Sequence, residues 1–103
     1  MKRHTIRYDK NIKRTYNAMR NAVVNLGFET LETDKHIGIL KFTTPRKYVF
    51  FGGTQFSITA YTISERSTDV TLSVKDNISK KDFLYMTENI FKRMDRELPV
   101  EIV

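Results

Sequence analysis

Residues 70–75 have the sequence Val-Thr-Leu-Ser-Val-Lys, in which apolar and polar side chains alternate strictly. Because successive side chains of a β-strand point to opposite faces, this stretch predicts a strand with one face in the core and one in water. Residues 56–61 alternate in the same way, and a polar turn at residues 65–69 separates the two stretches. Ile63 lies out of phase, which indicates a bulge. The sequence therefore predicts a hairpin in a sheet that needs cover on one face.

One amphipathic helix that supplies this cover precedes the hairpin. Its predicted N-cap is Asp9, and Gly27 is a left-handed stop after its last turn. Apolar residues recur at spacings of three and four and so share one helical face: Ile12, Tyr16, Met19, Val23 and Leu26.

A second amphipathic helix follows the hairpin. Ser79 is its predicted N-cap, Asp82 stands in the place of the capping-box acid, and Pro99 ends the helix. Its predicted apolar face consists of Phe83, Leu84, Met86, Thr87, Ile90, Phe91, Met94 and Leu98.

The remaining stretches complete the predicted order of elements. Residues 4–8 predict a short strand with a basic face, and residues 28–33 and 37–42 predict two strands joined by a tight turn. Residues 47–51 predict either a third strand or a loop. The order is β-α-β-β-(β)-β-β-α. We therefore expect residues 1–103 to form a single domain of class α+β, with two layers: a mostly antiparallel sheet and two helices on one face.

Two local runs carry a resemblance to a known fold. The run LGFE at residues 26–29 and the strand GILKF at residues 38–42 look like the corresponding parts of helix-grip domains. With the later strand pair and the last helix, the order of elements resembles the small domain of the lipoprotein in the outer-membrane β-barrel assembly machinery, and related small lipoprotein domains. The resemblance implies a helix-grip-like fold and a role in protein–protein assembly, without enzymatic activity. The chain lacks a lipobox cysteine, so no functional residue is carried over.

The composition excludes several classes of protein. The 103 residues include no cysteine, which excludes a disulfide scaffold, a thiolate metal centre and a thiol nucleophile. The longest apolar run, residues 48–51, is far shorter than the ~20 residues of a membrane span. The basic N-terminus is not followed by the apolar stretch of a signal peptide. The sequence as written predicts a cytoplasmic location, and the alternative is the cell envelope if a leader has been removed.

Patterns typical of catalysis or metal binding are also missing from the sequence. His4 and His36 have no partner at ligand spacing, so we expect both to be exposed to solvent. The sequence contains neither a Gly-x-Ser-x-Gly elbow nor a phosphate-binding Gly-x-x-x-x-Gly-Lys-Ser/Thr loop. We therefore predict no catalytic residue, no metal site, no cofactor and no enzymatic activity.

Positive charge is concentrated at the N-terminus. Lys and Arg total 18 and Asp and Glu total 12, a formal net charge of +6, and residues 1–20 contain seven basic residues and one acidic residue. Cations in the first turns of a helix oppose its dipole by about 0.3–1 kcal/mol each, and a bound anion would reverse that penalty. The predicted anion-binding residues are Lys2, Arg3, Arg7, Lys10, Lys13 and Arg14.

A second candidate site is the aromatic run before Gly52 and Gly53, which forms either a turn packed under the sheet or an exposed loop. Its predicted partner-binding residues are Tyr48, Phe50 and Phe51.

These features support two functions. The first is a non-enzymatic module that binds a protein partner through a sheet edge or the aromatic loop. The alternative is binding of nucleic acid, an anionic surface or another polyanion through residues 2–20. A small-molecule pocket between the sheet and a helix is a third possibility, and we expect core side chains to fill that space.

Overall fold

The fold is a five-stranded antiparallel sheet with two helices, and a computed structural model describes residues 2–44 and 53–98 of it. The strands are β1 (Lys2–Tyr8), β2 (Glu29–Asp34), β3 (Ile39–Thr43), β4 (Gln55–Ser64) and β5 (Ser67–Val74), and the helices are α1 (Ile12–Asn25) and α2 (Lys80–Glu97). This confirms the predicted α+β class and antiparallel sheet. The strand or loop predicted at residues 47–51 lies outside the described residues.

The order of strands across the sheet is β1-β5-β4-β3-β2. β1 therefore pairs with the last strand in the chain, from Lys2 opposite Val74 to Tyr8 opposite Thr68. β1 and β2 form the two edges of the sheet. The basic start of the chain is thus fixed to β5 along the whole of the edge strand.

One face of the sheet lies in the core. β5 alternates between buried and half-buried residues along its whole length. The core side is formed by alternate residues of three strands: Leu40, Phe42, Phe56, Ile58, Ala60, Val70, Leu72 and Val74. The Phe42 ring stacks between the rings of Phe28 and Phe56, with centroid distances of 5.4 and 5.6 Å. The other face, which we call the outer face, carries the polar residues of the alternation.

Helix α1 begins two residues later than the sequence predicts. Its N-cap is Asn11, whose side-chain oxygen accepts a hydrogen bond from the Arg14 amide at 2.9 Å. The predicted N-cap, Asp9, is wrong because the chain is still leaving β1 there: the Thr68 hydroxyl of β5 donates to the Lys10 carbonyl oxygen at 2.8 Å. The predicted stop is confirmed, since Gly27 has a φ of +80° after the last turn.

Helix α2 begins where the sequence predicts. The Ser79 hydroxyl accepts from the Asp82 amide at 3.0 Å and caps the first turn. The predicted apolar face is buried except at Leu84, whose exposed fraction is 46%. The prediction for Leu84 is wrong because its side of the helix is covered only further along. Phe91, two turns later at nearly the same angle, packs against the rings of His4 and Tyr8.

The two hairpins differ from the sequence prediction at their turns. β2 continues to Asp34 and β3 begins at Ile39, so the turn occupies residues 35–38 and lies later than expected. The β4–β5 turn is shorter than the predicted residues 65–69, because β5 already begins at Ser67. The register shift between Thr62 and Ser64 confirms the irregularity predicted from Ile63.

Candidate functional site

The predicted anion-binding residues lie at both ends of β1. Lys2 and Arg3 are at its start, whereas Lys13 and Arg14 are exposed in the first turn of α1. Lys10 lies in the connection between strand and helix and is half-buried. Because the strand spans about 20 Å at about 3.3 Å per residue, the two groups are too far apart to contact one small ligand.

Arg7 is engaged by the neighbouring strand. Its Nε lies 2.7 Å from Oδ1 of Asp69, and its Nη2 lies 3.1 Å from Oδ2. These hydrogen bonds, with the charge of Asp69, raise the pKa of Arg7. The hydrogen bonds from Arg7 also hold the pKa of the Asp69 carboxyl below its usual value. The pair carries no net charge, so Arg7 adds little to the positive potential of this edge.

The outer face near this pair is rich in hydroxyl groups. The hydroxyl oxygens of Thr5 and Thr71 lie 2.7 Å apart across β1 and β5. A shallow hollow of about 150 Å³ on this face is lined by Arg3, Thr5, Thr59, Tyr61, Thr71 and Ser73. On β3, Nζ of Lys41 lies 3.4 Å from Oε2 of Glu32. The carboxylates of Asp69 and Glu32 therefore offset the charges of Arg7 and Lys41 on the outer face.

A surface on the first half of α2 differs from the outer face in having exposed apolar side chains. Leu84 and Tyr85 are 46% and 50% exposed. They lie beside Lys80, Lys81 and Glu88 and line an open hollow of about 580 Å³ with them. We call this surface the α2 patch.

A further hollow, of about 330 Å³, lies between α1 and the β2–β3 turn, and we call it the α1–turn hollow. It is lined by Tyr16, Arg20, Thr33, Asp34, Lys35 and His36. Burial raises the pKa of the Tyr16 phenol, the charge of Arg20 acts against this, and the charge of Asp34 adds to it. Three basic side chains thus line one concave surface with a single carboxylate.

The edge of the helix layer holds a buried phenol. The rings of His4 and Tyr8 lie 5.7 and 6.5 Å from the ring of Phe91 on α2. Burial raises the pKa of Tyr8, and the nearby Asp95 raises it further. No atom of residues 2–44 or 53–98 has hydrogen-bonding geometry to the Tyr8 hydroxyl. This residue was predicted only as part of the first strand.

The two histidines do not lie together in the structure. His4 and His36 are both exposed, as expected, and lie on different elements. Within the two described ranges, no three His, Asp or Glu side chains are placed to hold a metal ion. Tyr48, Phe50 and Phe51, the predicted partner-binding residues, lie outside the described residues. In the part of the chain that the structure describes, neither helix is long and apolar enough to cross a membrane.

Sequence analysis missed both the α2 patch and the α1–turn hollow. The spacing of Tyr16 and Arg20, four residues apart on α1, places them on one side of the helix. Nothing in the sequence showed that the β2–β3 turn would lie against that side. Leu84 and Tyr85 were harder to identify, because an apolar pair next to a buried stripe is typical of core residues.

Neither a protein-family model nor a curated protein sequence matches this chain. Solved structures do match. The Zhui aromatase/cyclase from Streptomyces sp. R1128 has a TM-score of 0.54 and 10% sequence identity, over 93% of this chain and 86% of that chain. Ara h 8.0201 has a TM-score of 0.47 and 10% identity, over 96% of this chain and 100% of that chain.

The similarity to the aromatase/cyclase establishes the fold alone. The chain has a helix-grip fold, which confirms that part of the resemblance. The comparisons provide no link to the lipoproteins of the β-barrel assembly machinery. The prediction that the chain is not an enzyme is contradicted, because the aromatase/cyclase is an enzyme with a similar fold. The error came from taking missing catalytic motifs, and a resemblance to non-enzymatic domains, as evidence against activity, whereas function depends on the site that a fold carries.

Proposed function

We propose that the chain is a binding module that docks an acidic, partly apolar segment of a protein partner on the α2 patch. The observation that carries this proposal is the exposure of Leu84 and Tyr85, side by side in a helix whose other large apolar residues are buried. Tyrosine is enriched where protein surfaces meet, because its ring is apolar and its hydroxyl can remain hydrated.

Charge supports an acidic partner. Lys80 and Lys81 share the first turn of α2 with Asp82, at a helix end where the dipole disfavours cations. Against Glu88 they leave the lining of the α2 patch with a formal charge of +1. An acidic side chain of a partner would offset their charge while its apolar neighbours contact Leu84 and Tyr85. Lysine side chains beside apolar surface also steer an acidic partner toward it, which raises the association rate.

Site-specific photocrosslinking tests this proposal. A photoreactive phenylalanine analogue in place of Tyr85 should crosslink a protein from native lysate, and the same analogue in place of Val24, 55% exposed on α1, should not. Lys80→Gln with Lys81→Gln should reduce the yield, and nuclease treatment should leave it unchanged. Equal crosslinking at both positions, or loss of the product after nuclease, would contradict docking of a protein on the α2 patch.

The start of α1 favours a second candidate function, the binding of a polyanion. Its first turn contains Lys13 and Arg14 and no acidic residue, and Lys10 lies directly before it. Phosphates bound at this corner would offset three cations and the helix dipole together.

The salt dependence of oligonucleotide binding tests this candidate. Three phosphate contacts on duplex DNA predict a log–log slope of about −2.7, and six contacts predict about −5, at about −0.9 per phosphate. Substitution of Lys10, Lys13 and Arg14 by Gln should abolish the slope, whereas Lys2→Gln with Arg3→Gln, at the other end of β1, should leave it near −2.7. A response that does not depend on salt would exclude this function.

A further inference from the structure

We propose that the α1–turn hollow binds the phosphate group of a small ligand, independently of the α2 patch. Its lining provides a guanidinium from Arg20, an ammonium from Lys35 and an imidazole from His36. The hydroxyls of Tyr16 and Thr33 complete the set of donors. A tetrahedral phosphate accepts several charge-assisted hydrogen bonds at once, and arginine and lysine are the side chains that most often provide them.

The lining is net basic. Arg20 and Lys35 carry two positive charges and Asp34 carries one negative charge, a formal sum of +1, and His36 adds an imidazole. The volume, about 330 Å³, lies at the lower end of the range of about 300–1,000 Å³ for ligand pockets. The charge favours an anionic ligand, and the volume favours a small one over an extended polymer.

Asp34 organises the turn. One oxygen of its carboxylate, Oδ1, accepts from the amides of His36 and Ile37 at 3.0 and 3.2 Å. The Asp34 carbonyl oxygen also accepts from the Gly38 amide at 2.8 Å. These hydrogen bonds close the turn on itself and fix the backbone of Lys35 and His36. A turn held in this way loses less conformational entropy when a ligand binds.

The side of the hollow formed by α1 is equally well fixed. Tyr16 is 7% exposed and belongs to the core, so its ring anchors the helical side of the hollow. Arg20 lies one turn further along α1 and is exposed, so its side chain can reach a ligand above the Tyr16 ring. The hollow therefore has a rigid wall on α1 and a closed turn opposite it.

Binding should depend on pH through the ligand. A phosphate monoester becomes a dianion above a pKa of about 6. Its affinity for the basic lining should therefore rise as the pH passes that value.

Titration followed by two-dimensional NMR tests the proposal, with inorganic phosphate, phenyl phosphate and acetate as probes. Phosphate should shift the amide resonances of residues 33–38 and the His36 ring. Arg20→Gln and Lys35→Gln should each weaken binding at least five-fold. Lys41→Gln and Lys75→Gln, which remove the same charge from the outer face, should leave the affinity unchanged.

The probes distinguish the sources of the phosphate group. Binding of phenyl phosphate as well as inorganic phosphate supports a ligand that carries a phosphate, whereas binding of inorganic phosphate alone overturns the proposal in favour of an ion site. Acetate binding as tight as phosphate binding also overturns it, because a carboxylate site needs fewer donors. Equal weakening by Arg20→Gln and Lys41→Gln would reveal unspecific attraction to a basic protein and would likewise overturn it.

Discussion

Gly38 and Ala60 join the β2–β3 turn to β4. The Ala60 amide donates to the Gly38 carbonyl oxygen at 2.8 Å, and the Ala60 carbonyl oxygen occupies the space that a Cβ of Gly38 would need. Gly38 also has a φ of +81°, in the left-handed region that other residues rarely adopt. Both the backbone conformation and the close approach therefore require glycine here, and this contact holds one end of the turn that carries Lys35 and His36.

Substitution of this glycine should destabilise the protein more than substitution of a glycine with the same φ in open space. Gly27→Ala meets no atom within 4 Å of its Cβ, so it should lower the free energy of unfolding by the left-handed strain alone, about 1–2 kcal/mol. Gly38→Ala should lower it by about 3 kcal/mol, because the backbone of β4 must also move. Urea denaturation measures both, and equal losses would show that the close approach to Ala60 has no energetic consequence.

Removal of the N-cap of α1 should distinguish the observed cap from the one expected from the sequence. Asn11→Ala removes the acceptor of the Arg14 amide and should cost about 1 kcal/mol. Asp9→Ala should change the free energy of unfolding by less than about 0.5 kcal/mol, because Asp9 is exposed and does not cap the helix. Urea denaturation of both variants at the same ionic strength is the measurement. A larger loss for Asp9→Ala than for Asn11→Ala would contradict the cap assignment.

The buried hydroxyl of Tyr8 should make the protein sensitive to alkali. Because burial and the nearby Asp95 raise the pKa of Tyr8 in the folded state, its contribution to stability is complete below the unfolded pKa of about 10 and is lost as the pH rises above it. Because this hydroxyl is buried without a hydrogen-bond partner among residues 2–44 and 53–98, Tyr8→Phe should be as stable as the parent, or more stable, at pH 7. Between pH 9 and 11, Tyr8→Phe should lose less stability than the parent protein. Thermal unfolding across this range is the measurement, with Tyr61→Phe, on a side chain that is 57% exposed, as the control for loss of a hydroxyl.

The pair formed by Arg7 and Asp69 should make the stability of the protein sensitive to acid. The pKa of Asp69 is lowered in the folded state, so its contribution is present above the unfolded pKa of about 3.9 and is lost as the pH falls below it. Asp69→Asn should lower the midpoint of thermal unfolding at pH 7, and the difference from the parent should disappear near pH 2. Asp76→Asn, at an exposed residue, is the matched control. A difference that persists unchanged at pH 2 would show that the effect is not due to the charge of Asp69.

Much of the architecture could be predicted because its signals are local. The Ser79 hydroxyl and the Asp82 amide lie three residues apart in the chain, so the start of α2 follows from sequence spacing. Alternation along β5 predicts its buried face, because neighbouring side chains of any strand point to opposite sides. The start of α1 was misplaced because the hydrogen bond from Thr68 to Lys10 joins residues that are far apart in the chain.

The candidate sites were less predictable because they join residues that are far apart in the chain. The sequence places seven basic residues within residues 1–20, but the extended β1 separates them into groups at its two ends, and Asp69 engages Arg7. Arg20, the last of these residues, instead lines a hollow with the β2–β3 turn. Distance in the chain is a poor measure of distance in space once a strand intervenes.

The sequence by itself determined the α+β class, the pairing of apolar faces between sheet and helices, and the ends of both helices apart from the first cap. These depend on side-chain periodicity and on hydrogen bonds within one turn, which act over a few residues. Only the tertiary structure decided which basic residues share a surface, because β1 pairs with β5 and the β2–β3 turn lies against α1. Those contacts bring together residues that local periodicity cannot relate, and burial of the common core holds them in place.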